Sequence, residues 1–141
     1  MRTPIIAGNW KMNKTPEQAH ALATGVAEGT AELDGVEVVV GPTAVALSAS
    51  AEALEGTHVG LAAQNMHPEP NGAYTGEVSA PMLVEVGCTH VILGHSERRQ
   101  LFGETDDRVR HKLEVALAHD LTPIVCVGET LVERKAGRTM D

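Results

Sequence analysis

The 141 residues predict a parallel α/β fold, and three observations carry that prediction. Short apolar runs recur at residues 4–7, 36–40, 59–63, 90–93 and 123–127, starting roughly 20–30 residues apart, the size of a strand–helix unit. Each run is apolar nearly throughout rather than alternating, as expected of parallel strands covered on both faces. The segments between runs carry helical periodicity, and no hairpin signal joins any two of them. Periodicity by itself leaves a doubly wound sheet and a barrel equally open.

The first intervening segment offers Thr15 as an N-cap, Pro16 at the first helical position and Gln18 to complete a capping box. Behind it, Ala19, Leu22, Ala23 and Val26 fall on one helical face. Leu47, Ala51 and Leu54 form a weaker stripe between the second and third runs. Thr105-Asp106-Asp107 supplies a cap and an acidic first turn, followed by Val109, Leu113, Ala116 and Leu117 as the apolar stripe. A short helix is expected over 97–102, with Ser96 able to cap it. Residues 64–79 break the rhythm as a long loop rich in Gly, Pro and Asn, of a length that favours partner binding. After the fifth run, 129–138 reads as a loop and a helix start.

Apolar residues make up 43% of the chain and charged residues 21%, a balance typical of soluble globular domains, and the length suits one domain rather than two. Only Trp10, Tyr74 and Phe102 are aromatic, so Val, Leu, Ile, Ala and Met must build the core. A formal net charge of −8 argues against nucleic acid as a partner. No apolar run approaches the ~20 residues needed to cross a bilayer. Met1-Arg2-Thr3-Pro4 lacks a signal-peptide pattern, so a cytoplasmic location is expected. Cys88 and Cys126 share no CxxC spacing and read as packed, reduced thiols. The histidines form no HExxH or His/Cys cluster, and neither a metal nor a cofactor is expected. The absence of GxG and GK[ST] argues against a nucleotide-binding domain.

In parallel α/β folds, chemistry concentrates at the C-terminal ends of the strands. After the first run comes Gly8-Asn9-Trp10-Lys11-Met12-Asn13, which brings an amide and an ammonium. After the fourth comes Gly94-His95-Ser96-Glu97-Arg98-Arg99, and after the fifth Gly128-Glu129-Thr130. Taken singly these are modest signals: a lysine after a strand is usually a solvated charge, and Glu97 could simply pair with a neighbouring arginine. A barrel would bring Lys11 and His95 to one rim. There a helix N-terminus would disfavour an added proton on His95, leaving a neutral imidazole that donates to a substrate oxygen. Lys11 would hold an anionic substrate and offset charge developing on that oxygen.

Those motifs, together with Tyr74-Thr75-Gly76-Glu77 and Cys126-Val127-Gly128-Glu129-Thr130, resemble the triosephosphate isomerases in order and in spacing. The resemblance runs from Arg2 to the chain end. It implies a TIM (β/α)₈ barrel of ~250 residues that interconverts dihydroxyacetone phosphate and glyceraldehyde 3-phosphate through an enediolate, in glycolysis and gluconeogenesis, without a cofactor. By the same resemblance, Asn9 and Lys11 contact the substrate, His95 polarises the carbonyl and shuttles protons, and Glu97 orders Lys11. His95, Lys11 and Glu97 are thus the implied catalytic set. The loop 64–79 resembles one that plugs into the second subunit of a homodimer, with Thr75 reaching the neighbour's Asn9 and Glu77 approaching the neighbour's Arg98.

The family's general base is a glutamate after a sixth strand, and its lid and glycine-rich phosphate site belong to still later units. Residues 1–141 are therefore expected to be the N-terminal portion of a single barrel domain, about five of its units, inactive alone. Glu97 and Glu129 are the available strand-end carboxylates, and the resemblance assigns neither to proton abstraction. Gly41-Pro42 stands where many members carry two prolines. The competing expectation is a truncated or split-barrel piece that acts by assembly, because its first and fifth strands would be open edges.

Overall fold

Successive side chains of a strand point to opposite faces, and the apolar runs use that alternation to build two cores. The computed structural model describes residues 2–140; readings at Met1 and Asp141 lie outside them. The strands are β1 (Ile5–Asn9), β2 (Glu37–Gly41), β3 (Gly60–Ala63), β4 (His90–Leu93) and β5 (Thr122–Val125). They pair in parallel in the order β1-β2-β3-β4-β5, an open segment of a barrel. Val38, Val40, Leu61, Ala63, Val91 and Leu93 face the helices and join the larger core, while Val39, Ala62 and Ile92 face inward and pack with Ile124 and Cys126.

Alternation extends the inner face into layers. Glu37, Gly60 and His90 lie two residues before Val39, Ala62 and Ile92, at the N-terminal ends of their strands. Gly41 and Gln64 lie two residues after Val39 and Ala62, at the C-terminal ends. The mouth and the base of the barrel segment are therefore set by the same three strands.

Helix α1 (Pro16–Gly29) starts as its sequence predicts, with the Thr15–Gln18 capping box formed in both directions. Of the predicted stripe, Ala19 and Ala23 are buried and Val26 packs half-buried against the core, but Leu22 is exposed and Ala27 is buried instead. Small residues every fourth position set the close-packed face, which rotates away from Leu22. A 3₁₀ turn (Ala44–Ala46) leads into α2 (Leu47–Leu54), which buries Leu47, Ser50 and Leu54. Helix α3 (Ala80–Val86) ends at Gly87, whose φ of 106° suits glycine. Helix α4 (Ser96–Phe102) is followed by α5 (Asp106–Ala118), capped by Thr105 as predicted, and α6 (Leu131–Lys135) carries a Thr130–Glu133 capping box.

Two expectations need correcting. In α5, Lys112 occupies the buried stripe at 2% exposure while Leu117 is 58% exposed. The Lys112 ammonium is held there by Glu104 and by Asn65 Oδ1 at 2.8 Å. Burial still lowers its pKa, the Glu104 carboxylate opposing that shift. Covering of every strand on both faces also fails at the margins. Ile6 of β1 is 63% exposed, and β5 buries none of its residues fully. The middle strands are covered because each has a neighbour on either side.

Candidate functional site

Two backbone turns place the chemistry at the mouth. The first follows β1, where Lys11 adopts φ 53°, a left-handed conformation rare for a side chain with a Cβ. Its N–H donates to Asn9 Oδ1 at 2.9 Å, and its carbonyl accepts from Gln64 Nε2 at 2.8 Å. The second follows β4, where Gly94 has φ 68° and a Cβ would meet Arg99 Nη2 at 2.8 Å and Val109 at 3.0 Å. Only glycine fits there. Arg99 fixes this turn, donating from Nε to the Gly94 carbonyl at 2.7 Å, pairing with Asp106 at 2.5 Å, and reaching the Cys126 carbonyl at 3.4 Å.

The cap of α4 is His95 itself, a correction to the expectation for Ser96, which is the first helical residue. Serine is the better N-cap by type, but the Gly94 turn ends one residue earlier. His95 then takes the extended cap conformation, φ −54° and ψ 142°, and its Nδ1 accepts the Glu97 N–H at 3.2 Å. A ring nitrogen that accepts carries no proton, so the hydrogen of the neutral ring sits on Nε2. The sequence placed His95 at the helix start; the structure adds which nitrogen the helix occupies.

Glu97 links the two turns. Its Oε1 accepts from Lys11 Nζ at 2.7 Å, and its Oε2 lies 3.5 Å from His95 Nδ1. The Lys11 hydrogen bond, more than the nearby charges, holds the Glu97 carboxyl below its usual pKa. Asn9, Lys11, His95 and Glu97 line one cleft of about 380 Å³, together with Glu77 and Arg98. Thr75 does not line it and stands on the exposed tip of the 64–79 loop, beside the exposed Glu77. The stem of that loop is ordered, with His67 N–H donating to the Val78 carbonyl at 2.8 Å and its ring 4.1 Å from that of Tyr74. Arg98 stacks over Phe102 at 5.1 Å and lies 3.6 Å from the buried Glu104 of its own chain.

A second cleft, about 540 Å³, opens between the ends of β4 and β5 and is lined by His95, Ser96, Arg99, Cys126 and Glu129. His95 is the wall common to both clefts. Glu129 lies 3.7 Å from Arg134 on α6. Burial pushes the Cys88 thiol up to about 12 and raises Cys126 in the same direction. Among the described residues, no group of three or more His, Cys, Asp or Glu could hold a metal ion, and no helix is long and apolar enough to cross a membrane.

Gln64, Asn65, Arg99, Glu104 and Lys112 shape the site; of these only Arg99 falls in a motif visible in the sequence, and its role there was not. Gln64-Asn65 directly follows the third apolar run, so the rule that found Lys11 and His95 would have found this pair too.

The family model described as triosephosphate isomerase matches residues 4–141. The triosephosphate isomerase of Symbiobacterium thermophilum is 56% identical over 137 residues, covering 97% of this chain and 54% of that protein. That of Chloroflexus aurantiacus is 54% identical over 138 residues, covering 98% of this chain and 55% of its own length. A crystal structure of triosephosphate isomerase from Bartonella henselae superimposes with a TM-score of 0.91 at 43% identity, covering 98% of this chain and 57% of that one. The chain thus spans about half the length of the curated relatives it matches.

Proposed function

The chain belongs to the triosephosphate isomerase family, and we propose that it supplies the electrophilic half of that enzyme's site, isomerising dihydroxyacetone phosphate and glyceraldehyde 3-phosphate through an enediolate. One observation supports this reading above the rest: Asn9, Lys11, His95 and Glu97 line a single cleft at the C-terminal ends of the strands. The His95 Nε2–H donates to the substrate carbonyl oxygen as a proton leaves the adjacent carbon. The Lys11 ammonium, held by Glu97, balances the negative charge gathering on the enediolate. Losing one such preorganised donor typically costs about 3–4 kcal/mol of transition-state stabilisation.

Proton abstraction needs a base that the described residues do not provide in this role. Glu97 is committed to Lys11 at 2.7 Å, and Glu129 is turned to Arg134 and Thr139. In the same reading, residues 1–141 form the first five units of one barrel domain, and the base and phosphate loops come from further units. The enzyme works in glycolysis and gluconeogenesis in the cytoplasm as a homodimer, Thr75 of one subunit reaching Asn9 of the other and Glu77 approaching Arg98.

A purified 141-residue chain is expected to show no turnover above its Lys11→Met control in a coupled assay. Adding a separately produced polypeptide carrying the remaining strand–helix units is expected to restore activity, since the exposed edges at β1 and β5 offer it two pairing surfaces. Turnover by the chain alone would overturn the division of labour. Aggregation without activity in the mixture would favour a piece that only assembles.

A further inference from the structure

We propose that Gln64 is a positioning residue for Lys11: its side-chain amide locks the left-handed Lys11 peptide and so aims the ammonium at the mouth. The proposal rests on the reading of Lys11 as the substrate-holding cation. A lysine stem is flexible, and its charge is placed only as well as the Cα from which it springs. At Lys11 that Cα is in a backbone region disfavoured for a residue with a Cβ, one that persists only where the surroundings hold it. No glycine stands here, so neighbouring side chains have to hold the turn.

Both polar groups of the residue are held by side chains. Asn9 Oδ1 accepts the Lys11 N–H at 2.9 Å, a local contact two residues away. Gln64 Nε2 donates to the Lys11 carbonyl at 2.8 Å and to the Gly41 carbonyl at 2.8 Å. The two hydrogens of one amide thus join the turn after β1 to the end of β2 from a position at the end of β3. The Gly41 carbonyl also accepts the Trp10 N–H at 2.9 Å, so the residue before Lys11 is tied to the same oxygen. Only a side chain with two donors on one atom bridges two carbonyls in this way. A carboxylate there would meet both oxygens with no hydrogen to offer.

The test reads the direction of the ammonium without requiring turnover. In the native 141-residue chain, the Glu97 carboxyl, followed by carbon NMR, titrates below the ordinary glutamate range because Lys11 donates to it. Lys11→Met is the reference in which that donor is gone. Gln64→Met keeps the length of the side chain and removes both donors; Gln64→Glu keeps the shape and reverses the polarity. Each is expected to shift the Glu97 midpoint upward toward the Lys11→Met value while far-UV circular dichroism stays native. A Glu97 midpoint unchanged by Gln64→Met overturns the proposal.

If the variants do not fold, the native chain decides. Hydrogen exchange of both Gln64 side-chain amide protons well below the rate at the exposed Gln100 supports the lock, and equal rates overturn it. Full activity of Lys11→Met in the complemented enzyme would instead sink the role of Lys11, leaving the Gln64 result standing.

Discussion

Two histidine–carboxylate pairs belong to the β4 unit, one at each end of the strand, and they share almost nothing but composition. At the mouth, His95 lies 3.5 Å from Glu97, is 22% exposed, and has its Nδ1 occupied by a backbone N–H. At the base, His90 lies 3.1 Å from Glu37, is 3% exposed, and its Nδ1 meets the Thr89 hydroxyl at 2.8 Å. The Glu37 contact is close but poorly aligned, and the buried His90 Nε2 has no hydrogen-bond partner. The mouth pair is fixed by a helix cap and a strained turn and opens onto clefts. The base pair is packed over Gly60, with its histidine buried and only Glu37 reaching solvent. The fold occupies Nδ1 in both rings, so what makes a histidine chemical rather than structural here is its surroundings: His95 lines open clefts, while the buried Nε2 of His90 faces Glu37.

The sharpest way to break this contrast is to remove each ring in the complemented enzyme. His95→Gln is expected to lower kcat about 10²–10³-fold, the usual effect of losing one oxyanion donor. His90→Asn is expected to leave kcat within a few-fold and to lower the urea midpoint instead. Steady-state kinetics beside urea melts decide it. A His90 variant that loses activity while keeping its stability would make the base part of the chemistry.

Stability should respond in the opposite order. The His90 ring passes over Gly60 to reach Glu37, and a Cβ at Gly60 would meet Thr89 Oγ1 at 3.1 Å, Val39 at 3.3 Å and the His90 ring at 3.4 Å. Gly60→Ala is therefore expected to cost about 1–3 kcal/mol, the range for overpacking a filled interior. Glu97→Gln removes a solvated ion pair, and no resolvable change in the urea midpoint is expected. Equal losses from both would show that the mouth pair holds the fold as firmly as the base.

Much of this contrast is legible in the sequence at the level of elements and lost at the level of contacts. The five runs match the five strands to within about two residues, because burial on both faces leaves a continuous apolar signature in β2, β3 and β4. Capping chemistry is local, so Thr15 and Thr105 mark helix starts correctly. Lys112 was not legible, since what holds it is Glu104, just ahead of the cap of its helix, and Asn65 on another strand end. Leu22 misled because period alone does not say which flank of a stripe meets a neighbour. The exposure of Ile6 on β1 was equally hidden, as an apolar run reads the same whether or not its cover is present in the chain. The Gln64–Lys11 bond spans 53 residues of sequence, and only the barrel's curvature brings its ends together.

The finest difference between the two pairs is the pH at which each one fails. His90 has its pKa lowered, burial outweighing the attraction of Glu37. An unfolded histidine titrates near ~6.5, so just below that pH the unfolded chain binds more protons than the folded one. Stability then falls as pH falls from about 6.5 toward the lower folded value, and this residue adds no slope above that window. Glu97 is also lowered, through its Lys11 hydrogen bond, but its contribution is present above the carboxylate range and is lost only as pH falls through it. Acidification should therefore loosen the base before the mouth. Urea midpoints taken from pH 7.5 down to 5 are expected to decline in the native chain and to decline less in His90→Asn. A native chain that loses less stability than His90→Asn across that interval would mean Glu37 outweighs burial, making the base a charged pair like Lys11–Glu97 at the mouth.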